Sequence, residues 1–130
     1  MTRIVKQVLA LVLALGLFGG TALAATTHST SISLSANRTS IHRGQAVNLS
    51  GKLTSSFAKC YRYTPVTLYR GHRAVKTKKT SATGTFSFSR RPTVTATWQV
   101  RFAGRTGGTH PYQWVCKASA SNQITVTVSS

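Results

Sequence analysis

A period of two governs most of this chain. Val66-Thr67-Leu68-Tyr69-Arg70, Gly84-Thr85-Phe86-Ser87-Phe88 and Thr97-Trp98-Gln99-Val100-Arg101-Phe102 each alternate apolar and polar residues. That pattern puts one face of a strand in a core and the other in water. All three runs lie between Cys60 and Cys116, the only two cysteines. A bond between these cysteines would span 116 − 60 = 56 residues and tie the start of the block to its end. With two cysteines only one intramolecular pairing exists. A catalytic thiol or a metal site is the competing use, and neither has the neighbouring residues it would need.

The first residues bear on the compartment, and hence on the redox state of that pair. Arg3 and Lys6 precede an apolar run from Val8 to Phe18 that only Gly16 interrupts. Gly19-Gly20 follows, and Ala22-Leu23-Ala24 has the small-x-small form of a signal-peptidase site. A membrane anchor would need roughly 20 apolar residues, about twice what is present. Residues 1–24 are therefore read as a secretory signal peptide and 25–130 as one small domain. The mature chain is then secreted or cell-surface associated, with no membrane span. An oxidising environment would let the two cysteines pair.

Alternation continues along the rest of the domain. Ser31 to Ala36 reads as a strand with Ile32 and Leu34 inward, and Ile41 packs back onto the core after a turn. Ala46 to Leu53 is the next strand, with Val47, Leu49 and Leu53 on one face. Thr54 to Tyr63 is a loop carrying Cys60. Arg73 to Thr80 is polar enough for an edge strand, whose lysines discourage edge-to-edge pairing. Gln123 to Ser129 closes the chain with a further alternating run. About seven short strands separated by turn signals, with no helical period after residue 24, predict an all-β, antiparallel sandwich.

Particular stretches also resemble a known family. Gly44-Gln45-Ala46-Val47-Asn48-Leu49-Ser50-Gly51 and Pro65-Val66-Thr67-Leu68-Tyr69-Arg70 look like the opening strands of bacterial immunoglobulin-like domains. Such domains occur in secreted and cell-surface proteins of Gram-positive bacteria. Thr80-Ser81-Ala82-Thr83-Gly84-Thr85-Phe86 is similar to their Thr-Asp-x-x-Gly-x-Phe turn, with Ser81 in place of the usual Asp. The resemblance implies an immunoglobulin-like sandwich in which the Cys60 loop joins the second and third strands. Cys116 then lies just before the last strand, and the bond clamps one end of the sandwich. A likeness of strand and turn residues specifies fold more than function.

The inventory of charged residues excludes much chemistry. The chain has 17 Lys and Arg and no Asp or Glu. Without Arg3 and Lys6, residues 25–130 keep 17 − 2 = 15 of these cations. Paired-carboxylate glycoside hydrolysis, an acid-oriented histidine and carboxylate calcium sites are all unavailable. His28, His42, His72 and His110 are scattered, and they are read as ordinary exposed histidines rather than zinc ligands. Neither an enzyme nor a cofactor is expected.

What remains is basic surface. Arg70, Arg73, Lys76, Lys78 and Lys79 gather on one predicted hairpin, with Arg90 and Arg91 ending the next strand. Alternation places Lys76 and Lys78 on one face and Lys79 on the other. One reading is a polyanion-binding stripe that meets phosphates or sulfates by charge alone. The other is a solvated edge that serves solubility. Tyr61, Tyr63, Tyr112 and Trp114 flank the cysteines and either stack on a ligand or cap the core, the cap being preferred. The expected function is a secreted, non-catalytic, cationic module. Its partners would be anionic polymers: wall teichoic acid, acidic polysaccharide or extracellular DNA. A cationic antimicrobial, or an inhibitor of a secreted enzyme acting through the Gly104–Tyr112 loop, is the alternative, and another secreted protein is a further candidate partner.

Overall fold

The computed structural model describes residues 25–130, so the signal-peptide assignment lies outside the described residues. Within that range the alternating runs become strands. Three of them, β2 (Thr30–Ala36), β4 (Val47–Ser55) and β7 (Thr85–Arg90), pair antiparallel in the order β2-β4-β7. A larger sheet takes β3 (Ser40–His42), β5 (Pro65–Arg70), β6 (Arg73–Lys79), β8 (Ala96–Phe102) and β12 (Ile124–Ser129). Its order is β3-β12-β8-β5-β6, with β3 parallel to β12 and the other pairs antiparallel. The two-residue β11 (Ser119–Ala120) pairs with β8 off this path.

Both sheets contribute to one core. Ile32, Leu34, Leu49, Leu53, Phe86 and Phe88 come from the three-stranded sheet, and Val66, Leu68, Trp98, Val100, Phe102 and Val126 from the larger one. Ile41, expected to pack inward, is buried on β3. Each buried residue occupies the apolar phase of its alternating run, so the pattern that forms the strand also aims its side chains. Gly51 has a separate task in the middle of β4. A Cβ there would lie 1.8 Å from the Ser33 carbonyl oxygen and 2.9 Å from Phe86 Cζ, so only glycine lets β2 and β4 approach this closely.

A small third sheet, in the order β1-β10-β9, is made of β1 (Thr26–His28), β9 (Arg105–Gly107) and β10 (Trp114–Cys116). One turn of 3₁₀ helix at Ala58–Cys60 lies in the β4–β5 connection. Cys60 there is bonded to Cys116 at the end of β10, with their Cα atoms 5.5 Å apart. The bond thus joins the β4–β5 connection to the β8–β12 connection, and both cysteines are buried.

The all-β expectation and the disulfide hold. The strand count differs: among the described residues twelve segments stand where about seven were expected. The additions are short. The segment before β2, where no strand was expected, forms β1, which runs parallel to β10 with Thr27 opposite Val115. The glycine-rich loop after Gly104 contains β9. These segments carry little apolar alternation, and a pairing partner rather than their own sequence makes them strands.

Candidate cationic surface

The hairpin of β5 and β6 sets the positions of the basic side chains. Val66 pairs with Lys78 and Leu68 with Lys76, while Pro65 pairs with Lys79. Directly opposed residues share a face, so Lys76 and Lys78 leave on the core side and Lys79 on the outer side, as alternation predicts. The register slips between Leu68 and Tyr69 and leaves Val75 as an extra residue. Val75 turns inward and packs against the core. This bulge kinks the edge strand, a device that keeps an edge from pairing with other chains.

Lys78 spans the mouth between the two sheets. Its Nζ donates to the Ser87 carbonyl on β7 at 2.8 Å and lies 5.9 Å from the centre of the Phe88 ring. The aliphatic stem therefore covers the open side of the core while the charge stays at the surface. Arg91 ties the end of β7 to the β3–β4 turn, its Nη1 donating to the Gly44 carbonyl at 2.7 Å. Arg73, Lys76 and Lys79 are exposed, whereas Arg70 and Arg90 are half-buried. Arg70 leaves on the core side at the far end of β5, opposite Trp98, and Arg90 pairs with Val47 at the far end of β7. Arg73, Lys76, Lys78, Arg90 and Arg91 thus follow the β6 and β7 edges, whereas Arg70 sits one strand in on β5 and Lys79 turns to the outer face. No carboxylate side chain exists anywhere in the chain to neutralise them.

The aromatic residues near the disulfide divide in two. Tyr61 and Trp114 pack against the core, as a cap would. Phe57 joins them, stacked on His28 with centroids 4.2 Å apart and edge-on to Trp114 at 5.5 Å. Tyr63 and Tyr112 are instead exposed, at 57% and 82%. His42, His72 and His110 are exposed as expected, but His28 is half-buried by its stack on Phe57. Among the described residues no group of histidines or cysteines could hold a metal ion.

Among the cations that the sequence did not single out, Arg101 stands apart. Arg101 on β8 is half-buried, with its guanidinium carbon 4.2 Å from the centre of the Tyr69 ring on β5. Tyr69 and Arg101 were both legible as outward positions of alternating runs. Their meeting depends on the β5–β8 register, which pairs Thr67 with Arg101 and Tyr69 with Gln99. A search of known proteins gives no relative to set beside this surface: no family model matches the chain, and no curated protein does either.

Proposed function

We propose that this protein is a secreted, non-catalytic immunoglobulin-like module that binds anionic cell-envelope or extracellular polymers through its cationic surface. The observation that carries the reading is the uncompensated charge: 15 Lys and Arg within residues 25–130, and no Asp or Glu. Twelve of those 15 are exposed and three are half-buried, so the charge is presented to solvent rather than spent inside. An immunoglobulin-like sandwich is supported by two sheets sharing one core, the parallel β3–β12 pair, and β6 passing across to β7 in the other sheet. Teichoic acid, acidic polysaccharide and extracellular DNA all offer the required negative groups. No helix among the described residues is long and apolar enough to cross a membrane.

The test is the salt dependence of binding by the purified, disulfide-bonded protein to cell wall, heparin and duplex DNA. Contact with about six phosphates gives a log–log slope near −5 on DNA. Changing Arg73 and Lys76 to Gln should make that slope shallower by about two, one per lost contact. Retention on none of the three polymers at low salt would refute the reading. A slope untouched by the double substitution would remove the β6 edge from the contact.

A further inference from the structure

The outer face of the large sheet carries a groove distinct from the β6–β7 edge. Because Leu68 and Val100 face the core, the intervening Thr67, Tyr69, Gln99 and Arg101 face outward. Beside them β11 pairs with β8 and raises a low wall at Ala118 to Ala120. The hollow between this wall and Tyr69 has a volume of about 430 Å³. A second hollow of about 350 Å³, reaching Tyr63, Lys79 and Arg105, shares Thr67, Phe102 and Ala103 with the first. The two adjoin along these residues and are treated together as one trough.

The arginine in this trough is held ready. Arg101 lies over Tyr69, and its Nε donates to Gln99 Oε1 at 3.1 Å. Gln99 is fixed in turn, its Nε2 donating to the Ser121 carbonyl at 2.8 Å. The Nη groups of Arg101 donate to no other described residue. Aromatic stacking and a bonded Nε fix the plane of the guanidinium, leaving its Nη groups for a planar anion. At the other end Arg105 Nη1 donates to Thr64 Oγ1 at 3.0 Å, and Lys79 stands exposed. Between these cations the lining is mostly apolar but carries the phenols of Tyr63 and Tyr69 and the hydroxyls of Thr67 and Ser119, the last two already bonded to Thr77 Oγ1 at 2.9 Å and Thr30 Oγ1 at 2.7 Å. Phenols set in an apolar lining suit a ligand with both hydroxyl groups and C–H faces, as a sugar has.

We infer that this trough is a binding site for an acidic oligosaccharide. One sugar carboxylate pairs with Arg101, a second acidic group lies near Lys79 and Arg105, and the sugar hydroxyls meet the lining between them. This specificity rests on the anionic-polymer reading above, but it names a different surface and one ligand class. Charge alone does not need the fork of Arg101; carboxylate recognition in the trough does.

The experiment titrates the purified disulfide-bonded protein with a short oligogalacturonate at physiological salt. A neutral malto-oligosaccharide and a short polyphosphate serve as comparison probes. Oligogalacturonate alone should bind. Arg101→Lys keeps the charge but loses the stacked fork, and should weaken binding about tenfold or more while leaving the salt slope on DNA unchanged. Lys79→Gln, at the other end and exposed, should also weaken it, so the result does not hang on one variant. Wild-type affinity in Arg101→Lys overturns the inference, as does equal binding of polyphosphate. If long polymers are retained at low salt and oligogalacturonate is not bound, the trough falls and the anionic-polymer reading stands. If nothing is retained at low salt, both fall.

Discussion

At the turn between β6 and β7 the Ser81 hydroxyl oxygen accepts the backbone N–H of Thr83 at 3.2 Å and of Thr85 at 3.1 Å. It also shares a hydrogen bond with Thr85 Oγ1 at 2.6 Å. An Asp at this position, as in the turn that the sequence resembles, would accept the same two N–H groups with a carboxylate. The serine thus keeps the turn while adding no negative charge. Gly84 completes it with a φ of +89°, where a Cβ would also lie 2.3 Å from the Leu53 carbonyl oxygen. Ser81→Ala removes the acceptor and should cost about 1 kcal/mol. Ser81→Asp offers a charged acceptor and should stabilise at neutral pH, because bonds to a charged group are worth about 1.5–3 kcal/mol. It should also introduce acid sensitivity. Two N–H donors hold the new carboxyl's folded pKa below its unfolded value, so the gain is present above that unfolded value, about 3.9, and fades as pH falls further. Thermal melts of the three proteins at pH 7 and pH 3 check this; a Ser81→Asp gain that survives unchanged at pH 3 would contradict it.

Among the elements, the disulfide joins parts that alternation leaves undirected. The β4–β5 connection and β10 contribute few core side chains, yet Cys60 and Cys116 bring both to the buried end of the molecule. Closing a loop of 56 residues restricts the unfolded chain by about 4 kcal/mol in the entropy model. Reduction under native conditions should therefore lower the thermal midpoint by about 15–30 °C for a domain of this size. A melt in reductant that shifts by only a few degrees would show that the third sheet does not need the bond. Much of this layer was legible beforehand. The long strands declared themselves because each sheet buries one face, and a half-buried strand must alternate. The short strands β1, β3, β9 and β11 were mostly silent, since two or three residues hold no period; only the inward turn of Ile41 hinted at β3. The lysine stripe was readable because a hairpin's register follows from its turn. Arg101 over Tyr69 was not, because residues 32 apart meet only through a pairing that no local pattern encodes. The inward turn of Val75 was hidden for a related reason: a bulge breaks the alternation that a reader extrapolates.

At the scale of the whole molecule the absence of acids alters the response to pH. Most domains weaken in acid because carboxylates paired in the native state, with folded pKa values below their unfolded ones, must take up protons. Their contribution is present above the unfolded pKa and lost as pH falls through the folded one. No side chain here belongs to that class, since Asp and Glu number zero. The opposing effect is repulsion. The 15 Lys and Arg of residues 25–130 repel one another with no carboxylate side chain between them. Those charges sit mostly at the surface, where salt screens them over about 10 Å at 0.1 M. Screening thus separates the two effects. At moderate salt the thermal midpoint should fall by no more than about 5 °C between pH 5 and pH 3, a change of about 1 kcal/mol or less. At low salt the midpoint should be lower at both pH values, and added salt or an anionic polymer should restore it. A steep loss between pH 5 and pH 3 that salt does not relieve would require a titrating native interaction, and the side-chain inventory contains no carboxylate to supply one.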